Sequence, residues 1–163
     1  MKGFTLIELL ISISIMAILV TGAVSNYNRY NSHEKIQQTA LNLQNDLRYA
    51  QNQAVSGVKP SGCTTLVGYE VRFLSSTQYS SQADCQPEGL VSPASTVTLS
   101  NGVVIVGSPS DILFGVLSRG TLTADTNIIF TDSSSSYYYE VTVSQSGNIN
   151  SGTIVSITPT PTP

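Results

Sequence analysis

The N-terminal stretch decides how this chain is organised: it opens Met1-Lys2-Gly3-Phe4-Thr5-Leu6-Ile7-Glu8 and then runs apolar from Leu9 to Val24. As a helix, residues 4–24 would extend about 31 Å, close to the thickness of a bilayer core. A carboxylate inside a bilayer costs at least ~2.5 kcal/mol, so an acid in such a position is rare and usually functional. The stretch predicts a transmembrane half-helix in which Glu8 has a specific role.

Two other interpretations of this stretch remain open. Thr5 and Glu8 have the spacing of a capping box, in which each satisfies a free backbone donor at a helix start. That role explains Glu8 but not the apolar run behind it. A secretory signal peptide cleaved near Thr21-Gly22-Ala23 is disfavoured by the acid and by the length of the apolar run.

The helix is predicted to continue through residues 25–56 as an amphipathic half. Its apolar residues recur at steps of three and four and form one stripe: Ile36, Ala40, Leu43, Leu47, Ala50 and Ala54. The small alanines favour packing against a sheet over a coiled coil. Gly57, with Pro60 after it, is expected to end the helix at Ser56.

Residues 57–157, called the head below, have the pattern of short strands separated by turn residues. Tyr69, Val71 and Phe73 alternate with polar residues, as in a half-buried strand. Further strands are predicted at Val97–Leu99, Val103–Val106, Ile112–Phe114, Asn127–Thr131, Tyr137–Val143 and Ile154–Ile157. One long helix followed by strands predicts an α+β fold with an antiparallel sheet. Residues 158–163, Thr-Pro-Thr-Pro-Thr-Pro, are expected to form an extended tail without a packing role.

The two cysteines, Cys63 and Cys85, both follow the apolar segment. If that segment crosses the membrane, both thiols meet an oxidising compartment, which favours a disulfide. A disulfide between Cys63 and Cys85 would close the loop between them and stabilise the fold by about 3 kcal/mol. The alternative is that the two cysteines are unrelated buried thiols. A zinc site is not expected, because two cysteines and one distant histidine make a poor ligand set.

The remaining composition argues against catalysis and against nucleic-acid binding. No nucleophile–base pair, calcium-loop spacing or phosphate loop is present, so no catalytic residue, metal or cofactor is expected. His33, the only histidine, is predicted to be solvated. The head carries three basic and seven acidic residues, and no lysine or arginine lies between Phe130 and Pro163. Phosphate neutralisation drives nucleic-acid affinity, so an acidic head binds poorly.

The segment Lys2-Gly3-Phe4-Thr5-Leu6-Ile7-Glu8-Leu9-Leu10 resembles the prepilin leader of type IV pilins and type II secretion pseudopilins. The resemblance implies that residues 1–3 form a leader peptide that a prepilin peptidase removes after Gly3. It further implies N-methylation of Phe4 and pairing of Glu8 with the amine of a neighbouring subunit. Two opposite charges in a low-dielectric filament core attract strongly, which agrees with that pairing.

Residues 40–54 resemble the helix of the GspH/FimT group of minor pilins. Leu47, Ala50 and Ala54 match its pattern, whereas Gln51 replaces an arginine and Ser25 stands where many pilins have proline. The implied protein is a filament subunit for type II secretion or type IV pilus biogenesis, with a cytoplasmic N-terminus, an inner-membrane anchor and an extracytoplasmic head. Its implied partners are other pilin subunits, the prepilin peptidase and an inner-membrane assembly platform.

DNA binding is the main alternative within that resemblance. Some FimT-like minor pilins bind DNA through a basic glycine-arginine-x-arginine motif. This chain instead has Gly147-Asn148-Ile149-Asn150. The acidic head and the missing arginines therefore disfavour a DNA-uptake role, and a membrane-anchored enzyme is the least supported alternative.

Overall fold

The computed structural model describes residues 5–132, 137–152 and 155–156, without the side chains of 21–26, 28–29, 92–94 and 155–156. One helix, α1 (Leu6–Ser56), precedes all the strands. It ends as predicted, because Gly57 adopts the left-handed conformation and its N–H donates to the Ala54 carbonyl. Ser25 lies inside this continuous helix. Gly3, Phe4 and the 158–163 tail fall outside the described residues.

Within the described ranges, nine strands form two antiparallel sheets, which confirms the predicted α+β fold. The first sheet has the order β3-β2-β1-β5, and the second has the order β4-β6-β7-β8, with β9 also pairing with β7. Their bounds are Thr65–Ser75 (β1), Gln78–Gln86 (β2), Gly89–Thr98 (β3), Val103–Val106 (β4), Ile112–Gly115 (β5), Thr126–Asp132 (β6), Tyr137–Val143 (β7), Ile149–Ser151 (β8) and Val155–Ser156 (β9).

The helical stripe predicted from spacing is the centre of the core. Its six residues, Ile36 to Ala54, are each at most 1% exposed. They pack with fully buried side chains from both sheets, including Phe114, Phe130, Ile128 and Val71. The C-terminal half of α1 therefore covers one face of each sheet, which confirms sheet packing over a coiled coil.

Three strand predictions needed correction. β2 was not predicted, because its sequence Gln-Tyr-Ser-Ser-Gln-Ala-Asp-Cys-Gln is mostly polar. It is nevertheless an inner strand between β1 and β3, and it buries Tyr79, Ala83 and Cys85. β3 starts eight residues before the predicted Val97 and ends before Leu99, and β8 was also missed.

The disulfide is present and confirms the cysteine prediction. Cys63, which follows the helix, is bonded to Cys85 in β2, with their Cα atoms 5.5 Å apart. Both residues are buried with Leu66 and Ala83 in a small second cluster. The bond thus ties the segment that leaves α1 to the first sheet.

Candidate functional site: the exposed apolar half-helix and its head junction

The N-terminal part of α1 exposes apolar side chains on all sides. Eleven large apolar residues between Leu6 and Val20 are 54–77% exposed. Ordinary soluble monomers expose large apolar side chains only singly, so a continuous apolar surface of this kind marks a region that lipid or a protein partner covers. Within the part of the chain that the structure describes, no helix meets the length and hydropathy requirements for a membrane span.

The serines in this segment are compatible with an apolar environment. The Ser12 hydroxyl donates to the Glu8 carbonyl and the Ser14 hydroxyl donates to the Leu10 carbonyl, each at 2.8 Å. A hydroxyl satisfied by the carbonyl one turn earlier does not need water. These two serines therefore do not oppose burial of the apolar run.

Glu8 closes a capping box with Thr5, as the local interpretation predicted. The Thr5 N–H donates to Glu8 Oε2 at 3.3 Å, and the Glu8 N–H donates to Thr5 Oγ1 at 3.4 Å. The Thr5 hydroxyl also donates to Oε2 at 3.1 Å. Oε1 accepts no hydrogen bond from any residue that the structure describes, so the exposed carboxylate retains an acceptor for a second partner.

At the other end of α1, Gln51 joins the helix to two loops of the head. Its Nε2 donates to the Arg119 carbonyl at 2.6 Å and to the Gly147 carbonyl at 2.8 Å. Gly147 has φ +83°, and a Cβ there would lie 1.7 Å from the Arg119 oxygen. Only glycine permits this approach, and we call the arrangement the Gln51 junction.

Polar residues of α1 also anchor the sheets. Asp46 is half-buried and accepts a 2.5 Å hydrogen bond from the Tyr79 hydroxyl. Burial, and then this hydrogen bond, raise the pKa of Tyr79. Gln44 Nε2 donates to the Ile149 carbonyl at 3.3 Å in the interior. The spacing of residues along the helix does not reveal these contacts, because Asp and Gln are also common on helix surfaces that face solvent.

The environment of His33 differs from expectation. Of the three consecutive tyrosines at the start of β7, Tyr139 is buried, whereas Tyr137 and Tyr138 are both partly exposed. His33 was predicted to be solvated, yet it is half-buried and its ring contacts the Tyr137 ring edge-on, with centroids 5.8 Å apart. Among the residues described, no cluster of three metal-ligating side chains occurs.

Comparison with known protein families shows to which family the chain belongs. Residues 1–24 match the prokaryotic N-terminal methylation motif, and residues 39–147 match the model for the type II transport protein GspH. The chain belongs to the GspH family. It is therefore a structural pseudopilin or minor pilin of type II secretion or pilus assembly, which works with other pilin subunits. No curated protein and no solved structure matches it.

Proposed function

We propose that this GspH-family protein is cleaved after Gly3, methylated on Phe4, held in the inner membrane by residues 4–24, and then assembled into an extracytoplasmic filament. The observation that carries the proposal is a segment of eleven exposed apolar side chains that contains one carboxylate. Burying each large side chain is favourable by about 1.5–3 kcal/mol, so lipid first and neighbouring helices later would stabilise the segment.

Glu8 would provide the register of assembly. Its Oε2 is bound within the capping box, and its Oε1 accepts no hydrogen bond from the described residues. The methylated amine of Phe4 in a neighbouring subunit would be a fitting donor. A single charge without a partner is much more costly in an apolar core than a paired one, so subunits would be accepted only in the register that joins the two charges.

The first test is the mature mass. The chain is expressed with and without the prepilin peptidase and analysed by intact-mass spectrometry. We expect the peptidase to remove residues 1–3 and the product to carry one added methyl group. An unchanged mass, or cleavage near Ala23, would contradict the proposal.

The second test separates the charge of Glu8 from its capping role. Glu8→Gln keeps an acceptor for the box but loses the charge, whereas Thr5→Ala weakens the box by about 1 kcal/mol and keeps the charge. If the charge directs assembly, Thr5→Ala is incorporated into sheared filaments and Glu8→Gln is largely excluded. Ser12→Ala, on the same face, is the control for altering a polar side chain. Normal incorporation of Glu8→Gln would instead leave Glu8 with a local structural role.

A further inference from the structure

A polar cleft of about 500 Å³ lies beside the Gln51 junction, away from the apolar half-helix. It opens between the last turns of α1 and the turn that joins β7 to β8. Its polar lining includes Arg48, Asn52, Arg119, Ser146 and Asn148. Among the described residues, no aspartate or glutamate lines it.

Neither guanidinium group of this cleft, that of Arg48 or that of Arg119, has an ion-pair or hydrogen-bond partner among the residues that the structure describes. The residues three and four positions from Arg48 on the helix are Gln44, Asn45, Gln51 and Asn52, all of them neutral. Arg72 is different: its Nε lies 3.3 Å from Asp111 and 3.9 Å from Glu70. Asp125 Oδ1 accepts the N–H of Gln145, the residue before Ser146, at 2.6 Å.

Two guanidinium groups in one cleft contrast with the protein as a whole, which has a formal net charge of −3. Guanidinium groups present paired donors that match a carboxylate, and the amides of Asn52 and Asn148 add neutral donors. Nucleic acid fits less well, because its affinity needs many neutralised phosphates and the surrounding head is acidic.

We propose that this cleft binds carboxylate side chains of an acidic segment in a neighbouring filament subunit. The inference rests on the proposed function for the identity of the partner. The binding chemistry itself rests mainly on the charges of Arg48 and Arg119 and does not depend on the identity of the partner. The cleft would then act as a second recognition site at the head, distinct from the pairing of Glu8 at the other end of α1.

The test uses the ¹⁵N-labelled full chain in detergent and observes the arginine Nε–Hε signals. The probe is the capped peptide Gly-Glu-Gly-Asp-Gly, and Gly-Gln-Gly-Asn-Gly is the neutral control. We expect the acidic peptide to shift the Arg48 and Arg119 signals together and to leave the ion-paired Arg72 signal in place. Arg48→Gln and Arg119→Gln should each weaken binding about threefold, typical of exposed charge pairs. Lys35→Gln, which removes an exposed charge elsewhere on α1, should not weaken it.

Three results would overturn the inference: equal shifts with the neutral peptide, equal weakening by Lys35→Gln, or tighter binding of a short DNA duplex to the same two arginines. The mature masses of Arg48→Gln and Arg119→Gln are measured in parallel. If the wild-type chain is processed normally but does not bind the acidic peptide, only the cleft proposal is refuted. If the wild-type chain is not processed, the filament function is refuted and the peptide-binding result still stands.

Discussion

The Gln51 junction yields a quantitative prediction through Gly147→Ala. The added methyl group would lie 1.7 Å from the Arg119 oxygen, although real Cβ atoms essentially never approach closer than 3.0 Å. The Arg119 carbonyl must therefore retreat by more than about 1 Å, which breaks the hydrogen bonds from Gln51. We expect about 1–2 kcal/mol from the left-handed backbone and about 1–3 kcal/mol from the two lost hydrogen bonds.

Gly107→Ala is the matched control for backbone strain. Gly107 has φ +75°, similar to the +83° of Gly147, but a Cβ there meets no atom within 4 Å. The two variants should therefore differ by about 2 kcal/mol, or about 8–16 °C in Tm for a domain the size of the head. Gln51→Ala, which removes the hydrogen bonds without a clash, should fall between them.

Unfolding is best followed by near-UV circular dichroism of the full chain in mild detergent. The buried Tyr79 and Tyr139 report on head packing, whereas the far-UV signal is dominated by the 51-residue helix. Equal Tm values for Gly147→Ala and Gly107→Ala would refute the close approach and the junction built on it.

Three further outcomes are expected. The Cys63–Cys85 bond closes a loop with a sequence separation of 22, so its reduction should lower the free energy of unfolding by about 3.4 kcal/mol in the chain-entropy account. Denaturant titration with and without reductant measures this change, and an unchanged midpoint would count against it. Tyr79→Phe should lower the free energy of unfolding by about 1.5–3 kcal/mol, because it removes a hydrogen bond to the Asp46 carboxylate. A double-mutant cycle with Asp46→Asn should show coupling between the two residues, and additive losses would contradict this contact. Leu47→Ala, at a fully buried position, should cost about 2–5 kcal/mol in the same titration, and a loss below 1 kcal/mol would show that the stripe is not the core.

Local signals were sufficient for the helix and its ends. The capping box, the stripe of spacing three and four and the glycine cap depend on residues within one or two turns of each other, so the sequence reveals them directly. The disulfide followed from the cysteine count and from the expected compartment. Short apolar segments bounded by turn residues, such as β4 and β5, and the segment that forms β7, were predicted nearly to the residue.

The failures arose where tertiary position overrides composition. β2 is polar in sequence, yet it forms a strand because β1 and β3 satisfy its backbone on both sides and α1 covers one of its faces. Burial of Asp46 likewise required Tyr79, which is 33 residues away and was not predicted to lie in a strand.

The sequence by itself determined the long helix, its buried stripe, the α+β class and the family to which the leader points, because each depends on short-range periodicity or on a fixed motif. The tertiary structure alone decided the division into two sheets, the Gln51 junction and the cleft between Arg48 and Arg119. Gln51 and its carbonyl partners are separated by 68 and 96 residues. Contacts at such separations depend on how the sheets pack on α1, and no local pattern of side chains encodes that geometry.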